Sequence, residues 1–221
     1  MNKQAATVWT IVIILLTLIV VGIVALVTAP KQPTNGILSL PVQADDWTTG
    51  GVNASSTVSL VEYSDFQCPA CAFYDPLVRR ALSDIPELVL TYRYFPLTQT
   101  HKNADLSARA VEAAGQQGRF WEMGELLFTN QEKWANDDKA EAIFSGYAQQ
   151  LGLDLTKFSE DLNSQATKDK IAKDYQSGLD SGVTGTPSFY LNGKFITNPK
   201  SYEEFVTLIK DALATSPAPA L

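Results

Sequence analysis

The chain has 221 residues, 24 of them acidic against 17 basic, for a net charge of −7. That balance argues against nucleic acid as a partner, since phosphate binding needs clustered Lys and Arg, and a hydrophobic content of 45% is enough for one domain with a real core beside an additional segment. Cys68, Cys71 and His101 are the only Cys/His candidates for zinc, short of the four ligands of a tetrahedral site, and the only disulfide open to the chain is Cys68–Cys71.

Val8 to Val27 is an uncharged run rich in Ile, Val and Leu. About 20 apolar residues span a bilayer as a helix, whereas a cleaved signal peptide has an apolar core of roughly 7–15. Val27-Thr28-Ala29 resembles a cleavage site, but Pro30 follows at once and is expected to block it. We expect a transmembrane anchor over residues 8–28, after a short cytoplasmic N-terminus at 1–7. Lys3 and the α-amino group precede the span, and only Lys31 soon follows it, so the positive-inside rule puts the rest of the chain outside the cytoplasm. Disulfides persist there. The expected location is the cell membrane, single-pass, with the C-terminal domain extracytoplasmic.

Residues 29–56, rich in Pro, Gly, Ser, Thr and Asn, read as a linker; Trp47 within it either packs on the domain or lies near the membrane surface. Thr57 to Ser64 is β-branched and apolar, a buried strand. Pro69 to Ser83 reads as a helix that Pro76 should kink or divide, because a mid-helix proline lacks the N–H and clashes one turn back. Leu88 to Phe95 is a second strand, ended by Pro96. From about 103 to 181 no strand appears. Apolar residues recur at helical spacing, as in Ala104, Ala108, Val111 and Ala114, and Gly115, Gly118, Asn136, Gly152 and Gly182 divide the block into four or five helices. Ser188 to Asn192 is strand again. Asn192-Gly193 is a hairpin turn, since both residues tolerate positive φ, and Lys194 to Thr197 is its partner. Ser201 and Glu204 have capping-box spacing and open a last helix, and Ser216 to Leu221 reads as a frayed tail. The long excursion between strands fits a crossover in a sheet with parallel strands. The expected class is α/β.

Two cysteines of a random chain fall three apart about once in a hundred, so Cys68-Pro69-Ala70-Cys71 asks for a cause. Between a strand and a helix, it reads as a dithiol that cycles with its disulfide. Cys68 belongs at the helix N-cap with Pro69 at the first helical position, where a missing N–H costs nothing. Free N–H groups and the helix dipole then favour the Cys68 thiolate. Cys71, one turn further in, is the buried resolving thiol. A structural disulfide or half a zinc site is the rival reading. Glu62 lies in the apolar strand, on the face of Leu60 and Ser64. It is either exposed at a sheet edge or buried near the sulfurs, where it would keep its proton and exchange it with Cys71. Thr186-Pro187 marks an edge, a strand start or a bend. His101 reads as a surface or cap histidine, and Arg93 and Asp137-Asp138 as solvated or structural charges.

Phe66-Gln67-Cys68-Pro69-Ala70-Cys71, Gly182-Val183-Thr184-Gly185-Thr186-Pro187-Ser188-Phe189 and Gly118-Arg119-Phe120-Trp121-Glu122-Met123 together resemble the DsbA-type thiol–disulfide oxidoreductases of the thioredoxin superfamily, in their membrane-anchored group. The likeness runs from about Val58 to Leu213. It implies a thioredoxin fold over 57–213, with a helical insertion (about 103–181) between its βαβ and ββα halves, and a flexible tail at 214–221. It implies that Pro187 is a cis-proline facing the disulfide, that the Thr186 backbone pairs with substrate, with Pro69 and Ala70 beside it, and that Glu62 is the buried acid. The helical block should lie over the active site and shape a peptide groove. Ala70 stands where many such enzymes carry histidine, which implies a milder oxidant, and Gly124 stands where relatives often have another.

The resemblance further implies no cofactor beyond the Cys68–Cys71 disulfide, no metal, cysteine-bearing extracytoplasmic polypeptides as substrates, and a membrane redox partner of the DsbB type or an analogue. The expected activity is a protein disulfide oxidase. The alternatives are a reductase or isomerase using the same site, a peptide-binding or chaperone module without turnover and, more distantly, a zinc-binding module.

Overall fold

The computed structural model describes residues 36–51 and 57–215, together with Trp9 and Leu16. Most of the expected anchor at 8–28 and the tail from 216 lie outside them. Among the described residues no helix is long and apolar enough to cross a membrane. The chain divides into Met1–Gln32 and Pro33–Leu221, and the elements that follow belong to the second unit.

Strand β1 is Trp47–Gly50 and β2 is Val58–Ser64; helix α1, Pro69–Asp84, leads to β3, Leu88–Tyr94. A block of helices follows: α2 (Ala104–Gly115), α3 (Phe120–Thr129), α4 (Gln131–Trp134), α5 (Ala140–Gln150), α6 (Leu155–Asn163) and α7 (Gln165–Ser181). The chain returns as β4 (Ser188–Leu191) and β5 (Lys194–Ile196) and ends in α8 (Tyr202–Ala214). The block is divided more finely than its glycines and apolar faces indicated. Pro76 sits within α1 and does not divide it. Asn192 and Gly193 take positive φ, 47° and 77°, and close the β4–β5 hairpin.

Among the described residues five strands form one sheet, ordered β1-β3-β2-β4-β5, with β2 at the centre. Its parallel neighbour is β3, reached through α1, while β4 runs antiparallel to it. The helical excursion therefore does not join parallel strands, as its length had indicated. The α1 crossover already supplies the parallel pair, and the chain re-enters the sheet at the end where β3 left it, Ser188 opening β4 beside Tyr63.

Strand alternation sorts the core. Leu60, Leu88 and Leu90 pack with Val78 and Ala81 of α1 and Phe205 and Ile209 of α8. Val61 and Tyr63 pack on the other face with Phe95, Val183 and Tyr190. Tyr92 and Tyr94 carry β3 into the helical block, where Phe66, Phe120, Met123 and Trp134 join them.

The linker reading of 29–56 is corrected over its second half. Trp47–Gly50 pairs antiparallel with β3. Trp47 packs on the domain. Its indole stacks on Phe120 with centroids 4.6 Å apart and donates to Glu112 at 2.7 Å. Gly115 makes room for it, because a Cβ there would lie 2.5 Å from the indole. Of the two readings of Arg93, the structural one holds and the solvated one does not. Arg93 is fully buried and donates to Asp46 at 2.8 Å and to the carbonyls of Leu40 and Pro41 at 2.8 Å each. Turn-forming residues populate this segment, yet ion pairs and an aromatic stack fix it against the sheet.

Candidate active site

The site forms where β2 runs out into α1. Cys68 is the N-cap of α1, with extended dihedrals (φ −71°, ψ 122°), and Pro69 opens the helix. Both cysteines are free thiols. Cys68 keeps 7% of its surface and Cys71 none, so an incoming sulfur reaches Cys68 first. Pro69 and Ala70 between them are exposed. From the far side of the fold, the Thr186 carbonyl accepts a hydrogen bond from the Cys68 thiol at 3.3 Å. The peptide between Thr186 and Pro187 is cis. The sequence thus places Cys68, Cys71, Thr186 and Pro187 together, although more than a hundred residues separate the two pairs.

The two thiols are pushed apart in acidity. Cys68 is lowered to about 5: the Cys71 thiol beside it is the largest cause, and the Thr186 side chain and the N–H groups of Cys71 and Ala70 add to it against the opposing effect of burial. Burial, and then the Cys68 anion, hold the Cys71 thiol well above the ordinary range.

Glu62 sits in the central strand, opposite Tyr92 on one side and Phe189 on the other, and is 5% exposed. The edge alternative does not hold. Burial raises its carboxyl to about 8; neighbouring Ser64 opposes the shift, while Asp75 and Cys68 reinforce it. Glu62 lines a cavity of about 230 Å³ between α1 and α3, with Asp75, Tyr92, Trp121 and Gly124. Gly124 keeps this wall close, since a Cβ there would come 3.1 Å from the Phe66 ring.

His101 has a partner that its isolation in the sequence concealed. Its Nδ1 lies 2.6 Å from the buried carboxylate of Asp65, which also accepts from the Leu97 and Gln67 N–H groups. Among the described residues no group of three His, Cys, Asp or Glu side chains could hold a metal. Sequence reasoning also missed Gln67, Asn103 and Gln131, which tie the loop before Cys68 to the helical block. Neutral amides carry no motif, and nothing local pairs residue 67 with 103.

The thioredoxin family model ("Thioredoxin") matches residues 44–211. The chain belongs to the thioredoxin family. The match starts ahead of Val58 and takes in β1. Solved structures with this fold include BdbD of Bacillus subtilis in its oxidised form, 21% identical, with a TM-score of 0.69 over 82% of this chain and 100% of that one. ScsC of Proteus mirabilis in a transitional conformation is 17% identical, with a TM-score of 0.71 over 97% of each chain. Alpha-DsbA1 of Wolbachia pipientis is 18% identical, with a TM-score of 0.67 over 80% of this chain and 94% of that one. The architecture is therefore the thioredoxin fold that these structures share. By sequence the chain is 37% identical over 186 residues to a Na(+)/H(+) antiporter NhaA 3 of Salinispora tropica, covering 83% of this chain and 28% of that protein. A Salinispora arenicola antiporter, NhaA 1, is 40% identical over 73% of this chain and 24% of its own length. The chain thus spans about a quarter of the curated relatives it matches.

Proposed function

We propose that this thioredoxin-family chain is a DsbA-type protein thiol–disulfide oxidoreductase that oxidises cysteines of extracytoplasmic polypeptides. The observation that carries the reading is the split of the pair, with Cys68 lowered to about 5 and Cys71 held high. A stabilised thiolate is a good leaving group, and stabilising the reduced form makes the disulfide a stronger oxidant. In the forward step a substrate thiolate attacks Cys68 Sγ. The new S–S bond forms as the Cys68–Cys71 bond breaks, and Cys71 leaves as a thiolate. Glu62, with its carboxyl near 8, gives its proton to the more basic Cys71 sulfur and regains one from water. A second substrate thiolate then attacks the substrate sulfur of the mixed disulfide, and Cys68 leaves as a thiolate. Two electrons pass from substrate to enzyme. A membrane oxidase of the DsbB type, or an analogue, takes them back. Thr186, Pro69 and Ala70 would bear on the bound polypeptide around Cys68, with Pro187 facing the sulfur.

In this reading residues 8–28 anchor the enzyme, residues 1–7 stay in the cytoplasm, and the domain faces outward. The uncharged run and the early Lys3 support that placement. The deciding experiment is the Cys68–Cys71 reduction potential of the full chain in glutathione buffers. A value well above thioredoxin's, about −270 mV, supports the oxidase. A value at or below it makes the dithiol the stable donor and replaces this reading with a reductase.

A further inference from the structure

The loop from Asp65 to Cys68 is held from outside by neutral amides. Gln131, at the start of α4, donates from one nitrogen to two carbonyls, those of Phe66 at 2.8 Å and Cys68 at 3.1 Å. Gln67 accepts from the Asn103 N–H at 2.5 Å and donates to the Ala135 carbonyl at 2.6 Å. Asn103 in turn donates to the carbonyls of Trp134, Ala135 and Asp137 at 2.9, 3.2 and 3.0 Å. Gln67 and Asn103 are both buried. The sulfur they frame engages Thr186, on a different element.

Peptide dipoles explain what Gln131 does. A trans peptide carries its C=O and N–H in opposite directions. With the Phe66 carbonyl turned to Gln131, the Gln67 N–H of the same peptide points away and meets the Asp65 carboxylate at 2.8 Å. The Cys68 carbonyl belongs to the peptide of Pro69, which has no N–H, and besides Gln131 it accepts the Ala72 N–H at 3.1 Å, the first bond of α1. Both negative ends are thereby held toward α4. Without that donor, two partly desolvated carbonyls would lack one partner, and the loop could relax by turning them. A carbonyl oxygen swung toward Cys68 would oppose its anion, whereas the N–H groups of Ala70 and Cys71 favour it.

We propose that Gln131 is a positioning residue for Cys68, holding the Phe66 and Cys68 carbonyls toward the helical insertion so that the Ala70 and Cys71 N–H groups of α1, and not these carbonyl oxygens, face the sulfur. The inference deepens the oxidoreductase reading and rests on it for its functional meaning. Its geometry does not depend on the direction of electron flow.

The test uses Gln131→Met, which keeps the length of the side chain and removes both donors without adding charge, and Gln131→Ala as a second variant. In the reduced full chain, the thiolate absorbance near 240 nm and the alkylation rate of Cys68 are followed from pH 3 to 10, with thermal melts as the folding control. The midpoint should rise by about one pH unit in both variants, and alkylation below the wild-type midpoint should slow about tenfold. A purely structural role would lower the melting temperature and leave the midpoint in place. Unchanged midpoints in a variant that melts cooperatively overturn the proposal. Disulfide transfer to a reduced, unfolded protein is measured in parallel. If the wild type fails to transfer while the midpoints still shift, the oxidoreductase reading falls and the positioning role of Gln131 stands.

Discussion

The Cys68 thiol and the Thr186 carbonyl meet at 3.3 Å across a sequence separation of 118. The contact closes the site. It brings the start of the ββα half, just before β4, onto the helix terminus that carries Cys68, which keeps 7% of its surface, with Cys71 fully buried behind. In the proposed reading, a sulfur arriving at Cys68 passes beside the Thr186 backbone, where an extended polypeptide adds its own hydrogen bonds.

The asymmetry of the pair predicts the behaviour of single cysteine variants. Cys68→Ser removes the reachable sulfur and should reduce disulfide transfer to background. Cys71→Ser leaves a nucleophile with no internal resolving partner, so mixed disulfides with substrate should accumulate on non-reducing gels. Turnover by Cys68→Ser would place the chemistry elsewhere.

Ionisation of Cys68 also predicts how the reduced protein's stability depends on pH. The thiol titrates near 5 in the folded state against an ordinary value of 9.0. A lowered pKa stabilises the fold fully above the unfolded value, and that contribution is lost as pH falls toward 5. The disulfide form has no such titration. Between pH 5 and 9 the reduced form should therefore gain stability on the oxidised form as pH rises. Paired denaturation curves at pH 5, 7 and 9 measure the gap, and a constant gap would contradict the ionisation.

Glu62 has the opposite sign. Its carboxyl is raised from 4.5 to about 8. The folded state then holds a proton that the unfolded chain has released, so stability falls as pH climbs from about 4.5 toward 8. Glu62→Gln should flatten that fall and be the more stable protein at pH 8, by an amount on the order of a few kcal/mol. In the proposed mechanism the same variant loses the proton donor for Cys71, so its exchange rate should follow a different pH profile. Matching profiles for the two proteins would remove Glu62 from the mechanism while leaving the stability prediction in force.

What the sequence made legible was mostly local. Cys68 at an N-cap, Pro69 at the first helical position and the Asn192-Gly193 turn are each set by neighbours within a few residues. The alternation of Leu60, Val61, Glu62 and Tyr63 fixed which side of the sheet each faces. It could not say whether that strand lay at the edge or the centre, and Glu62 turned on that question. Strand order depends on pairings between residues far apart, such as Glu62 with Phe189. The family resemblance reached Pro187 because it carries such pairings implicitly. It did not reach the partner of His101 or the amides around Gln67. The segment before β2 was hidden by composition: Trp47-Thr48-Thr49-Gly50 has a single large apolar residue, and its stability comes from Phe120, Glu112 and Arg93 in other elements.

Arg93 and Asp46 supply the last prediction. The guanidinium is fully buried inside β3 and the carboxylate is 1% exposed. Asp46 is the partner that holds the Arg93 charge raised against the cost of burial, with Tyr63 adding to it. Removing one member of such a pair leaves the other charge desolvated, which typically costs about 3–5 kcal/mol. Asp46→Ala should thus destabilise the domain by that order and free the segment from Leu40 to Gly50, which should show as faster amide exchange at Trp47–Gly50 and along the facing edge of β3. Replacing both, as Asp46→Leu with Arg93→Met, removes the buried charges together and should recover much of the loss. A soluble fragment cut at residue 45 would sever Leu40 and Pro41 from Arg93, so it should melt below a fragment that begins before Gly36. Equal melting of the two fragments would show that the strap adds no stability.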